Sequence, residues 1–327
     1  MSNIHLNSYL KYVAYGIPWM PVSLIEAFLK TKWRFLDYSV HNMEFSSVIK
    51  YNPEVLISFS PPEEIRSHAS VKFILTPGAG IDQMPLQAIR EQGQTIINCH
   101  ANASSVAEHA WGLLLSSARK LTKYDKMVRD QEKWPDQTQI KDLNVDLAGK
   151  TIGIIGYGSI GQKLAKYAHA FEMDTIIFRK HPQEYQFSLS DLEYQLDNLD
   201  FIILSVPLTD ETKAMISREL INHLPSHIII INVARGELIE EDALFDALRE
   251  GLIRGAGLDV WKNSPYRSIH GLRPDEFIHV PNLVISPHRA WISKDSFGKV
   301  AQQLALELDN IAKKRGSTNK VDLDLGY

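Results

Sequence analysis

The chain is poor in several features, and each scarcity closes a possibility. Its 327 residues hold one cysteine, Cys99. A single cysteine forms no intramolecular disulfide and builds no cysteine-based zinc site, so no metal centre is expected. Cys99 follows an apolar run, which predicts a small, buried core residue. No window approaches the roughly 18 consecutive apolar residues of a membrane-spanning helix. The first stretch has no clean apolar segment behind a charged one, because Lys11, Pro18, Pro21 and Glu26 interrupt it, and a secretory leader is not expected. Basic excess is missing too. Lys and Arg number 35 against 39 Asp and Glu, a net charge of −4, which argues against a general binder of nucleic acid or anionic membranes. The expectation is a cytoplasmic protein. With 44% apolar and 23% charged residues, the length suits about two globular domains with real cores.

What is present is alternation. In the second half, short β-branched runs begin near 150–156, 175–178, 200–206, 227–233, 253–260 and 282–286. Between them lie segments with helical spacing, such as Ile160, Leu164, Tyr167, Ala168 and Phe171, and shorter candidates near 190–196, 217–223 and 241–250. Six apolar strands separated by helices imply a parallel sheet covered on both faces. The first hundred residues repeat the pattern more weakly, with strands expected at 11–15, 33–37, 55–59, 71–75 and 95–98 and helices at 22–30, 62–68 and 83–91. A long helix is expected over 105–121 and another over 293–315. The fold class is therefore α/β with two doubly wound domains.

One glycine pattern stands in the right place. Residues 156–161 read GYGSIG, a Gly-x-Gly-x-x-Gly that follows a predicted strand and opens a predicted helix. Gly156 permits the tight turn, Gly158 lets the backbone approach a pyrophosphate, and Gly161 lets helix and strand pack closely. The helix start then offers N–H groups and a partial positive charge. The GKT at 149–151 is not a phosphate loop of the Walker type, because the required earlier glycine would fall on Asn144.

A second scarcity bears on the cofactor. A dinucleotide fold that takes NAD carries an acid about 20 residues beyond the glycines, bonded to the ribose hydroxyls. Here that region reads Arg179-Lys180-His181, and the nearest acids, Glu172 and Asp174, precede the strand. A ribose 2′-phosphate suits such a cluster. NADP is expected over NAD.

Three polar residues fall at the ends of successive strands. Arg235 follows one, Asp259 ends the next, and His288 follows the last. Ligands bind outside the carboxyl ends of parallel strands. Arg235 offers a planar fork of donors for a carboxylate or ketone, and a histidine at such a strand end beside an arginine is an acid–base candidate.

With these stretches in view, the sequence resembles the D-isomer-specific 2-hydroxyacid dehydrogenase family, which includes glyoxylate/hydroxypyruvate reductases and phosphoglycerate dehydrogenases. The stretches that carry the likeness are PGAGID (77–82), NASSVAEHAWGLLL (102–115), GKTIGIIGYGSIGQKLA (149–165), VPLTDETKAMI (206–216), NVARGELIEEDALFDAL (232–248), GAGLDV (255–260) and PNLVISPH (281–288). The resemblance implies a Rossmann cofactor domain, residues 101–290, inserted into a flavodoxin-like substrate domain, residues 1–100 plus 291–327. It implies reversible reduction of a 2-oxo acid to the D-2-hydroxy acid, with hydride from the nicotinamide and a proton from His288. Arg235 would hold the small anionic substrate, with backbone N–H groups of Ala79 and Gly80 on its carboxylate. Tyr157, Ser159 and Ile160 among the glycines, with Val206, Pro207, Thr212, Val233, Ala234 and Asp259, would line the cofactor. The helix from about 102 to 120 would build a homodimer, which its apolar Val106, Trp111, Leu114 and Leu115 fit. Packing between the two lobes is the competing explanation of those four.

The third scarcity lies in WKNSP, residues 261–265. The family pairs its histidine with a glutamate just before a proline shortly after the Asp-Val pair. Here the proline is Pro265 and the glutamate position is Ser264, with Asn263 and Lys262 before it. His288 thus lacks the carboxylate that would fix its tautomer, unless Asp275 or Glu276 reaches in. Ser264 can accept one hydrogen bond, or a water can bridge. Three activities follow. One is a working reductase with a weakened histidine partner. The second is hydride transfer from a small oxidisable anion, as in formate dehydrogenases of this fold. The third is a dinucleotide-sensing protein with little catalysis.

Overall fold

The structure, a computed structural model, describes residues 11–39, 44–131, 143–262 and 280–326. The chain forms two compact units. One joins Met1–Asn102 to Ile292–Tyr327, and the other is Ala103–Trp291. The second unit interrupts the first in chain order.

The first unit is built on five parallel strands: β1 (Lys11–Tyr15), β2 (Trp33–Asp37), β3 (Val55–Ile57), β4 (Phe73–Leu75) and β5 (Thr95–Ile97). Their order is β2-β1-β3-β4-β5, the flavodoxin-like arrangement. Successive side chains point to opposite faces, and both faces are covered, so the strands read as apolar runs rather than alternating ones. Val13, Tyr15, Ile57 and Leu75 share one core with Val300, Leu304 and Leu308 of a C-terminal helix (Ser296–Ala312), while Ala14, Leu56, Ile74 and Ile96 share the other with Ile65 and Ile89. The helices α1 (Val22–Glu26), α2 (Phe45–Ile49), α3 (Glu63–Arg66) and α4 (Leu86–Glu91) are short. The sequence pattern predicts the first, third and fourth as longer and does not foresee α2. Cys99 is buried, and burial pushes its thiol up to about 11.

The second unit begins with α5 (Ala103–Arg119), which stops at Lys120 in left-handed conformation and is followed by a separate helix α6 (Leu121–Gln131). Six parallel strands follow: β6 (Thr151–Ile155), β7 (Asp174–Phe178), β8 (Phe201–Leu204), β9 (Ile229–Asn232), β10 (Gly255–Leu258) and β11 (Leu283–Ile285). Between them run α7 (Gly161–Ala170), α8 (Arg218–Asn222) and α9 (Glu241–Glu250), and the C-terminal helix of the first unit is α10. The order is β11-β10-β9-β8-β6-β7. A Rossmann sheet would place a third strand outside β7. That place is held by Phe187, which forms a parallel bridge to Phe178 and exchanges 2.9 Å bonds with Arg179 N–H and the Ile177 carbonyl. A strand of one residue leaves no periodic mark in a sequence.

Ile152, Ile154, Ile203 and Ile231 pack one face of this sheet against α5 and α7, and Ile202, Leu204 and Ile230 pack the other against Leu244, Phe245 and Leu248 of α9. Val106, Trp111 and Leu114 are buried in the first of these cores, and Leu115 packs against it. The apolar side of α5 is thus accounted for inside the chain and supplies no argument for a dimer. Among the described residues no helix is long and apolar enough to cross a membrane.

Candidate active site

The sheet order places a switch point between β6, which turns toward β7, and β8 on its other side. Gly156 stands there with φ of +98°, and a Cβ on it would lie 2.8 Å from the Ser205 backbone at the end of β8. Only glycine meets both demands. A Cβ on Gly161 would lie 2.0 Å from the Gly156 carbonyl oxygen, so α7 packs hard against the turn. Gly158 differs, with no atom within 4 Å of an added Cβ. Gly158 and Ser159 are exposed, Tyr157 and Ile160 half-buried. Ile160 caps α7 without a side-chain acceptor, and within the first turn Gln162 N–H donates to the Gly158 carbonyl at 3.0 Å and Lys163 N–H to the Ile160 carbonyl at 2.9 Å. An open glycine face beside an uncapped helix start fits the pyrophosphate of a dinucleotide.

The wall beyond β8 is shaped by Thr212. Its hydroxyl donates to the Pro207 carbonyl at 2.7 Å and accepts from Thr209 N–H at 2.9 Å. Val206 is buried beside it. At the end of β7, Arg179 and Lys180 are half-buried and Lys180 Nζ meets Glu211 Oε2 at 2.9 Å. Both partners of that pair line a cavity of about 640 Å³ with His181, Ser188, Ser190 and Ser217. Asp174, paired with Thr151, starts β7 at the opposite end of the strand.

Arg235 is placed by a local device. Asn232 ends β9, buried, and its side chain accepts from Ala234 N–H at 3.0 Å and donates to the Arg235 carbonyl at 2.7 Å. The turn through Val233 and Ala234 is closed in this way, and Arg235 Nη1 donates to the Ala234 carbonyl at 2.7 Å. Gly236 follows, and a Cβ there would lie 2.1 Å from the Trp261 carbonyl carbon.

Asp259 organises the neighbouring loop. It is fully buried. Arg289 N–H donates to Oδ1 at 2.8 Å and Ala290 N–H to Oδ2 at 2.9 Å, while His288 N–H donates to the Asp259 main-chain carbonyl at 2.8 Å. His288 itself has φ of +56°, an uncommon conformation for a residue with a Cβ and one that functional turns hold against its cost. Burial alone would raise the Asp259 carboxyl, but the hydrogen bonds from His109, Ser286, Ala290 and Arg289 outweigh it and hold the group below its ordinary value. His109 and Ser286 are not among the residues the sequence pattern singles out. His109 lies on α5, three residues after Val106 and four before Leu113, a polar residue among core-facing ones. That placement is the signal the sequence offers.

The opening of WKNSP is structural. Trp261 is buried, stacks on Phe245 with centroids 6.5 Å apart, and donates from Nε1 to the Ser286 carbonyl at 3.3 Å. Lys262 N–H donates to Glu241 Oε1 at 2.9 Å. Ser264 lies outside the described residues, as do Asn263, Pro265, Asp275 and Glu276. In the first unit, Ala79 is half-buried and Gly80 exposed in the loop after β4, and Asn98 Nδ2 holds the Ala79 carbonyl at 3.0 Å.

A family model described as D-isomer specific 2-hydroxyacid dehydrogenase, NAD binding domain, matches residues 111–290. The glycerate dehydrogenase of Methylorubrum extorquens is 36% identical over 253 residues, 76% of this chain and 77% of that protein. The glyoxylate reductase of Thermococcus litoralis is 30% identical across 96% of this chain and 97% of its own. Among solved structures, an acyclic imino acid reductase in complex with NADPH and D-Arg matches in fold with a TM-score of 0.79 at 24% identity, covering 95% of this chain and all of that one. The family match and these relatives define an NAD(P)-dependent oxidoreductase. Within that class the chain belongs to the D-isomer specific 2-hydroxyacid dehydrogenase family, whose activity is the interconversion of small 2-oxo and 2-hydroxy acids.

Proposed function

We propose that the protein reduces a 2-oxo acid to its D-2-hydroxy acid with NADPH, in a reversible reaction. The observation that carries this is the turn at the carboxyl end of β11, where buried Asp259 holds the backbone on both sides of His288 in a strained conformation. His288 delivers the proton to the carbonyl oxygen. Arg235, at the end of β9, holds the substrate carboxylate and polarises the carbonyl through its fork of donors. The amides of Ala79 and Gly80, in the first unit, complete carboxylate binding. When bound, the nicotinamide supplies the hydride.

The glycine loop, Gly156 to Gly161, takes the pyrophosphate. Val206, Pro207, Thr212, Val233, Ala234 and Asp259 line the rest of the cofactor. Arg179 and Lys180 favour a 2′-phosphate, supported by the absence of an acid directly after β7. By resemblance, Ser264 stands where the family carries a glutamate, and unless Asp275 or Glu276 supplies the carboxylate, His288 works with a weaker partner. A homodimer is our expectation for the assembly, to be checked by light scattering.

The test is a panel of 2-oxo acids, including glyoxylate and hydroxypyruvate, with NADPH and NADH in parallel. The expected outcome is NADPH oxidation that collapses in His288→Ala, by about 10²–10⁴-fold for a lost acid–base group. A preference for NADH, or equal use of both, would overturn the cofactor assignment. NADP reduction by a small oxidisable anion with a flat pH profile, or tight cofactor binding without turnover, would overturn the reductase.

A further inference from the structure

Asp259 draws its partners from two directions. The amides of Arg289 and Ala290 come from the loop that carries His288. The others are Ser286, just past the end of β11, and His109, which comes from across the unit. His109 Nε2, on α5, lies 3.3 Å from Asp259 Oδ1 and 2.8 Å from Ser286 Oγ. The Ser286 hydroxyl is also hydrogen-bonded to the carboxylate. A carboxylate only accepts. Were Nε2 unprotonated, its lone pair would face Asp259, and Ser286 would have to choose between them. The consistent arrangement has Nε2–H directed at Ser286 Oγ and Asp259, with the Ser286 hydroxyl donating to the carboxylate. His109 then carries its proton on Nε2.

We propose that His109 is a positioning residue for the reaction: through Ser286 and Asp259 it holds the turn at 288–290 in the geometry that presents His288. The assignment rests on His288 as proton donor. Three features give it content. Asp259 is fully buried, so its orientation is set only by its partners. The turn it holds carries His288 at φ of +56°, a conformation that needs surrounding contacts to persist. And α5 is tied to β10 a second time, near the start of that strand, by Ser117 Oγ donating to the Ala256 carbonyl at 3.4 Å, which keeps the helix in register with β10.

His109→Leu removes the donor, and His109→Gln restores an N–H at nearly the Nε2 position. In steady-state assays with NADPH and the best 2-oxo acid, His109→Leu is expected to lower kcat by about 10- to 100-fold, the scale of a small misplacement of a reacting group. NADPH affinity by fluorescence titration should stay within about threefold, and His109→Gln should recover most of the lost kcat. Amide hydrogen exchange at Arg289 and Ala290 should quicken in the leucine variant and not in the glutamine variant. If His109→Leu does not fold, Ser286→Ala interrupts the same chain with a smaller change and must move kcat and exchange in the same direction. A kcat within about threefold of the parent in the leucine variant, equal damage in both histidine variants, or unchanged exchange at the two amides would overturn the proposal. Full activity in His288→Ala would instead overturn the proton-donor role, while the exchange experiment would still test the tie from His109 to the turn.

Discussion

Asp259→Asn is the most informative perturbation of this site. The carboxylate accepts one backbone N–H on each oxygen, from Arg289 at 2.8 Å and Ala290 at 2.9 Å, and further donors from His109 and Ser286. Asparagine keeps the shape and replaces one oxygen by an NH₂. Whichever way the amide sits, one N–H donor then faces another. A hydrogen bond to a charged group contributes about 1.5–3 kcal/mol, and the buried donor left without an acceptor costs about 1–3 kcal/mol more. Those contributions overlap, so a destabilisation of about 3–5 kcal/mol is expected. For a domain of this size that lowers Tm by roughly 6–20 °C. Because the same bonds set the His288 turn, kcat should fall by at least about 10²-fold.

The acid side of the stability curve should change as well. The folded carboxyl sits below its ordinary value of 3.8, so in the window beneath that value the unfolded chain binds more protons than the folded one. Stability therefore rises with pH there, is fully present above the ordinary value, and is lost as pH falls through the folded value. Asp259→Asn should flatten this acid limb. Calorimetry between pH 2 and 7 with parallel kinetics tests all three effects. A Tm within about 2 °C of the parent and kcat within about threefold would refute the assignment of Asp259 as the anchor of the turn.

Glu211→Gln removes the carboxylate that pairs with Lys180 at 2.9 Å, and should raise the ratio of NADPH to NADH efficiency by about two- to fivefold, the range of an exposed pair; an unchanged or lower ratio counts against Lys180 as a phosphate ligand. Gly236→Ala drives a Cβ to 2.1 Å from the Trp261 backbone and should cost about 1–3 kcal/mol or more, read as a lower Tm with altered tryptophan fluorescence; a neutral result means the two loops are not packed as described. Ser264→Glu should raise the rate of 2-oxo acid reduction and extend its alkaline limb to higher pH; no increase refutes the account of a weakened histidine partner.

Most of what the sequence determined is local. A strand covered on both faces must be an apolar run, and a helix between two such strands must show an apolar stripe, so both sheets are legible in the order of residues alone. The glycine loop is equally local, since its three positions act within six residues. Arg235 and His288 stand out because the ends of parallel strands are where polar residues converge. Even the missing acid after β7 is visible as a count along one strand.

Tertiary structure decided the rest. His109 on α5 is joined to Ser286 and Asp259, which lie just past the ends of β11 and β10, and nothing in their spacing announces the meeting. Lys180 meets Glu211 only because the loops after β7 and β8 lie side by side. Trp111 and its neighbours, apolar enough to suggest an interface, proved to be core because α5 packs on the sheet of its own unit. Phe187 replaces an entire strand with one backbone bridge. Periodicity reports how a segment divides its surface between core and solvent, and that is a property of near neighbours. The partner a buried polar group finds depends on which distant segment the topology delivers, and the chain carries no periodic signal for it.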